Sequence, residues 1–340
     1  MHMADALISP AVGGVMGGVT AGLIAWSSSR VTKELPTEKV PLMGVLGAFI
    51  FAAQMINFTI PATGSSGHLG GGMILSVLLG PHAAFLTIAS VLIVQALFFA
   101  DGGILALGCN IFNLGFFPAF IAYPFIYRPL VERNPTRGMI MAASILAAVV
   151  GLQMGAFGVV LETTLSGISS LPFSTFVLLM QPIHLAIGIV EGIVTALVIL
   201  FISQLRPDIV GLGGAPLSGG GIPVRKVVVI FLVVSLLTGG VISWFASEQP
   251  DGLEWSIARV TGKEEVESEG GVYQLFAEVQ KRISFLPDYT FPKPENPVPE
   301  GSAGADGSKL GTSVSGVVGG LMTLVLVGGI GYLLKPRREG

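Results

Sequence analysis

Ser174-Thr-Phe-Val-Leu-Leu-Met-Gln-Pro-Ile-His-Leu-Ala-Ile-Gly-Ile-Val-Glu-Gly-Ile-Val-Thr-Ala-Leu-Val-Ile-Leu-Phe-Ile-Ser-Gln204 holds one acidic residue, Glu191, and no lysine or arginine. A helix rises about 1.5 Å per residue, so this stretch is more than long enough to cross a hydrocarbon core of about 30 Å. Further apolar runs lie near 9–29, 41–60, 69–80, 83–100, 104–127, 139–161, 226–246 and 314–334. Only 11% of the 340 residues are charged, about half the usual soluble share. Mean hydropathy is +0.78. These features predict an all-α polytopic membrane protein. The run 69–80 is short and meets the next at Pro81-His82, so residues 69–100 read either as two spans or as one kinked segment.

Lysine and arginine set the expected orientation. With nine spans and an extracytoplasmic N-terminus, the short cytoplasmic segments hold Arg30, Lys33, Lys39, Arg128, Arg133, Arg137, Arg206, Arg225 and Lys226. Lys335, Arg337 and Arg338 fall on the same side, and the remaining six basic residues lie in one long outer segment, 247–313. The reading is a multi-pass protein of the cell (inner) membrane with a cytoplasmic C-terminus. Residues 1–205 form a seven-span unit, 206–225 a cytoplasmic Gly/Pro linker, and 226–340 two further spans flanking the extracytoplasmic segment. The single cysteine, Cys109, excludes a disulfide framework within the chain. No basic n-region of a cleavable signal precedes the first span.

Met1-His2 opens the chain. A free terminal amine, the His2 amide nitrogen and the His2 ring can close two fused chelate rings on one metal ion. A fourth nitrogen is on offer in His68, within Gly64-Ser-Ser-Gly-His-Leu-Gly-Gly-Gly72, which the orientation places on the same side. Four nitrogens in a plane suit Ni(II) or Cu(II) better than Zn(II). Gln54, Asn57, Ser65 and Ser66 are candidates for orienting the imidazole through its second nitrogen. Gly13, Gly17, Gly18 and Gly22 allow close packing of the first helix inside the bundle, and Gly44, Ala48 and Ala52 form a second smooth stripe suited to a partner helix. His82 reads as a solvated turn residue, and His184, seven positions before Glu191, as a structural hydrogen-bonding group. No Walker A loop and no His-Glu-x-x-His helix occurs, which excludes ATP hydrolysis by this chain and a zincin mechanism.

Taken together, Met1-His2-Met3, the segment Gly47–Phe58, Gly64-x-x-Gly-His68-Leu, Asp101-Gly-Gly through Asn113 and Pro182-Ile-His through Glu191-Gly resemble the NikM/CbiM nickel and cobalt substrate-binding components of energy-coupling-factor transporters. Pro250-Asp-Gly-Leu-Glu254 resembles the small NikN-type component fused to them. The resemblance implies a non-enzymatic transport subunit with no cofactor and no nucleic-acid partner. It would take Ni²⁺, or Co²⁺, as its substrate outside and release it inside, together with a transmembrane coupling protein and two cytoplasmic ABC-type ATPases. It further implies metal ligation by the Met1 amine, the His2 amide and ring, and His68. Gly44, Ala48 and Ala52 would then be the coupling-protein face. Planar nitrogen coordination leans towards nickel. The rivals are a stand-alone permease or secondary transporter, which needs an intramembrane charge relay from Glu191 and Glu162, and a membrane metalloenzyme built on His184 and Glu191.

Overall fold

A computed structural model describes residues 2–133, 135–169, 171–210, 222–263, 270–292 and 305–335. Its helices are α1 (Pro10–Glu34), α2 (Val40–Gln54), α3 (Gly72–Leu79), α4 (Pro81–Phe98), α5 (Leu107–Arg133), α6 (Arg137–Ser166) and α7 (Phe173–Leu205). The second part adds α8 (Val224–Gly240), α9 (Gly252–Thr261), α10 (Gly271–Ile283) and α11 (Ala305–Leu334). A two-stranded antiparallel hairpin, β1 (Phe58–Ile60) and β2 (Ser65–Gly67), pairs Thr59 with Ser66 ahead of His68.

Local sequence accounts for the boundaries. Ser9 caps α1, its Oγ accepting from Val12 N at 3.4 Å, with Pro10 in the first turn. Pro118 and Pro124 lack the N–H that an α-helix interior needs, and α5 winds as a π-helix over Phe112–Tyr127 around them. Gly167, at φ +63°, closes α6 before the chain returns as α7. These two helices pack backbone to backbone: a Cβ on Gly192 would lie 2.3 Å from Ile145 Cα.

Six helices (α1, α4, α5, α6, α7 and Lys309–Leu334 within α11) are long and apolar enough to cross a membrane among the described residues. Three expected spans are not among them: α2, within 41–60, has 15 residues, α8, within 226–246, has 17, and the run 69–80 falls furthest short. Only Gly72–Leu79 is helical there, about 12 Å of rise. It packs against α4 after a break at Gly80 (φ +87°) and Pro81. All eight of its residues are buried, so protein rather than lipid surrounds it.

Lys39 Nζ donates to Leu78 O at 2.8 Å and to Ile209 O at 3.3 Å, tying the start of α2 to the end of α3 and to the turn that follows α7. From that level α2 climbs about 22 Å whereas α3 begins about 12 Å up. The chain between them, 55–71, therefore turns back down into the bundle. Irregular backbone at such depth is tolerated because protein encloses it.

The first helix corrects a second expectation. α1 is not an interior helix, since only 17% of its apolar window is buried. It packs on one side against α4 and α5, where a Cβ on Gly108 of α5 would lie 2.6 Å from Gly17 N, while Gly14, Gly18 and Gly22 face open space.

Candidate metal site

Met1, with the expected amine ligand, lies outside the described residues. From His2 onward the N-terminal segment is held by backbone. Met3 is fully buried; its N–H donates to Asn110 Oδ1 at 2.8 Å, and its carbonyl accepts from Asn110 Nδ2 at 3.2 Å and Gly103 N at 2.9 Å. Asp5 accepts from Ala106 N at 3.0 Å at the start of α5, where a negative charge meets the positive end of the helix. The N-terminal segment is thus placed by residues 3–5 and the 101–106 loop, not by burial of α1.

His68 comes down the hairpin and is held by its neighbours in sequence. Its Nδ1–H donates to Leu69 O at 3.1 Å, which leaves Nε2 as the nitrogen with the lone pair. Gly70 is fixed on both sides, its N–H donating to Glu191 Oε2 at 2.7 Å and its carbonyl accepting from Gln54 Nε2 at 2.9 Å. The His2 and His68 rings stack in parallel, centroids 5.0 Å apart and planes 4° apart. Burial, above all, holds the His68 imidazole well below the usual histidine range.

His2 stands differently. Its Nδ1 lies 3.0 Å from Asp101 Oδ1, and its Nε2 is buried without a hydrogen-bond partner. Chelation fused to the His2 amide uses Nδ1, because Nε2 points away from its own backbone. The Asp101 contact therefore has to break when a metal is taken in that mode. Burial pushes Asp101 up, but the His2 ring and the Tyr289 hydroxyl, which donates to Oδ2 at 2.5 Å, outweigh it and hold the carboxyl below the usual range. Ala100, at φ +55°, and Gly102, at φ +85°, turn the chain sharply on either side of Asp101.

A cavity of about 570 Å³ opens above the two rings, lined among others by Gln54, Asp101, Asp251, Glu254 and Tyr289. The last three belong to the second part, which grips the His68 hairpin. Ser66 N donates to Pro250 O at 2.8 Å, and Trp255 Nε1 donates to Thr63 O at 3.0 Å. Pro250-Asp-Gly-Leu-Glu254 becomes intelligible here as a helix start. Asp251 Oδ1 accepts from Leu253 N and Glu254 N, and Glu254 Oε2 accepts from Asp251 N, a complete capping box. Gly252 is required because a Cβ there would lie 2.6 Å from Ile183 and 3.2 Å from His184. Burial, and then the Asp251 charge, push Glu254 up to about 7.

The expected orienting side chains have other recorded roles. Gln54 holds Gly70, Ser65 faces Thr63 Oγ1 at 3.0 Å, and Ser66 Oγ donates to Gln249 O at 2.7 Å. Asn57 lines the cavity, and its carbonyl accepts from Ser247 N at 2.7 Å. The backbone of Leu69 does the orienting instead. The stripe Gly44, Ala48, Ala52 is likewise not a free coupling-protein face: α11 packs along α2, and a Cβ on Gly44 would lie 3.0 Å from Leu324 O. His82 is half-buried, edge-on to Trp26 at 4.5 Å, rather than solvated. His184 Nδ1 donates to Met180 O at 2.8 Å. Asp101, Tyr289 and the carboxylate pair Asp251 and Glu254 also border the site; of these, only Asp-x-x-Glu at 251–254 has a local sequence signature.

Comparison with known proteins identifies the family. Residues 2–209 match the CbiM family, described as the cobalt uptake substrate-specific transmembrane region, and residues 225–336 match the PDGLE domain. A protein of Archaeoglobus fulgidus named as the fused nickel transport protein NikMN is 31% identical, over 96% of this chain and 96% of its own. The cobalt transport protein CbiM of Geobacter sulfurreducens is 28% identical over 71% of this chain and 72% of its own. A crystal structure of a transition metal transporter, 30% identical, superposes with a TM-score of 0.54 over 61% of this chain and 95% of that one. With the family matched over more than half its length and a relative aligned almost from end to end, the chain belongs to the CbiM family of nickel and cobalt transport membrane proteins, carried in one polypeptide with a PDGLE domain.

Proposed function

We propose that this chain is the substrate-binding subunit of an ATP-driven energy-coupling-factor transporter, taking up Ni²⁺ from outside and releasing it to the cytoplasm. The observation that carries the reading is the parallel pair of imidazoles at the foot of an acidic cavity, one with a preset lone-pair nitrogen. Among the described residues no three His, Cys, Asp or Glu side chains converge as a cation cage. This supports completion of the site by main-chain nitrogens: the Met1 amine and the His2 amide with its ring, plus His68. Loss of protons from the amine and amide then makes affinity rise with pH.

In this reading the N-terminus faces outward, residues 1–205 are the metal-binding unit, and 226–340 are the NikN-like part. A coupling protein and two ATPases supply the drive for release, since metal binding shifts an equilibrium only by its differential affinity for two states. Glu191 and Glu162 are engaged by Gly70 N and Asn113 Nδ2, which counts against a stand-alone permease running a charge relay through them. Cobalt is the second reading, favoured by the description of the matching family and by the cobalt-transporting relative. Inserting one Ala between Met1 and His2 tests the proposal. Metal analysis of the purified protein should show loss of nickel from a folded protein; nickel retained at full stoichiometry overturns the terminal chelate. Competition between Ni²⁺ and Co²⁺ on the unaltered chain decides the ion.

A further inference from the structure

We propose that α10 is an interfacial helix whose apolar face lies in the bilayer leaflet at the metal-site end of the molecule. Two anchor points fix its direction. Tyr273 Oη donates to Ile8 O at 3.1 Å, just ahead of α1, and Gln280 Nε2 donates to Ala96 O in the last turn of α4 and to Gly102 O, both at 2.8 Å. Seven helical residues advance about 10.5 Å. α1 and α4 are packed neighbours, and packed helices lie about 8–10 Å apart. The helix therefore runs across the two span ends rather than along them, in the plane where hydrocarbon gives way to headgroups.

Its two long faces have different surroundings. Gln274, Ala277 and Gln280 look into the cavity above the imidazoles. Val272, Leu275, Val279 and Ile283, spaced three and four apart, form one stripe exposed by 43%, 58%, 36% and 38%, and no residue of the helix is buried. An amphipathic helix at this depth, with Lys281 and Arg282 in its last turn, has the composition of one that rests on a lipid surface. The lipid belt provides the occupant. The exposed apolar surface of α1 (Val15, Val19) and of α11 (Leu310, Leu321) belongs to that belt. The chain leaving α10 reaches it too, since a Cβ on Gly311 in α11 would lie 3.1 Å from Phe291 N. One wall of the metal cavity is thus set in depth by the membrane.

Site-directed nitroxide labelling of the full chain in lipid nanodiscs tests this. Single cysteines replace Leu275, Val279, Glu278 or Lys281 in a Cys109→Ala background, with elution as a single folded species as the control. Accessibility to oxygen, which partitions into lipid, is compared with accessibility to chromium oxalate, which stays in water. Labels at 275 and 279 should favour oxygen by several-fold, and labels at 278 and 281 should show the reverse. Chromium oxalate preference at all four positions overturns the proposal. So does shielding of 275 and 279 from both reagents, which would mean that protein, such as a second copy of the chain, covers the stripe.

Discussion

His2 and His68 face each other ring to ring, yet their supports are of different kinds. His68 is set by backbone: Leu69 O takes Nδ1–H, Gly70 is locked by Glu191 and Gln54, and the hairpin is bonded to Pro250 just ahead of α9. With Nδ1–H engaged by Leu69 O, Nε2 is the nitrogen that carries the lone pair. His2 is set through its ring, by a carboxylate that Tyr289 of the second part holds in place. In the proposed chelate, His68 would be the preset half, and His2 would have to exchange its contact with Asp101 for a metal bond.

The largest expected effect comes from breaking the fixed half without touching a ligand. Glu191→Ala removes the acceptor of Gly70 N and leaves a buried donor unpaired, a cost of about 1–3 kcal/mol. Because that cost falls on the loop that presents His68, nickel affinity measured by calorimetry should drop roughly 10- to 100-fold. Unaltered affinity would show that the glycine loop is held without Glu191 and that the two halves are less different than the contacts imply.

A smaller effect, on capture rather than retention, should follow from the segment that carries Glu254. Glu254 sits in the cavity wall with its carboxyl raised to about 7. Below that pH it is neutral, and as pH rises through 7 it gains a negative charge facing the incoming cation. The association rate of Ni²⁺, followed by stopped flow at low salt, should therefore rise with pH by about 10-fold at most. Glu254→Gln should flatten that rise. A rise of the same size in the variant would move its origin to another group.

Much of this arrangement was legible in the sequence, and the gaps have physical causes. Continuous apolar runs marked six helices of membrane-crossing length, with three further runs proving shorter as helices, and His2 and the glycine-flanked His68 are brought ring to ring. Gly72–Leu79 read as a span because a helix enclosed by protein and one facing lipid have the same hydropathy. The stripe on α2 announced a close helix contact but not its partner, since small residues permit approach by any helix; α11 of the same chain fills it. Asp101 and Tyr289 act through contacts between residues far apart in sequence, |i−j| = 188 for their own hydrogen bond, and no periodicity reports such a pair.

The smallest expected effect is the most discriminating for how His68 is oriented. If Ser65 set the imidazole, as its place in the glycine segment suggests, its loss would cost roughly 10- to 100-fold in metal affinity, the usual penalty for removing the group behind a ligating ring. The structure instead turns its hydroxyl towards Thr63 Oγ1, 3.0 Å away. Thr63 Oγ1 keeps two other partners, donating to Ile60 O at 2.8 Å and accepting from Ser65 N at 3.1 Å. Ser65→Ala therefore orphans no buried group, and its cost should stay within about 0.5 kcal/mol, little more than twofold in affinity. A tenfold loss would assign the ring's orientation to a side chain and remove the distinction between a backbone-set and a side-chain-set imidazole. An unchanged affinity leaves Leu69 O as the group that presents Nε2 of His68 to the metal.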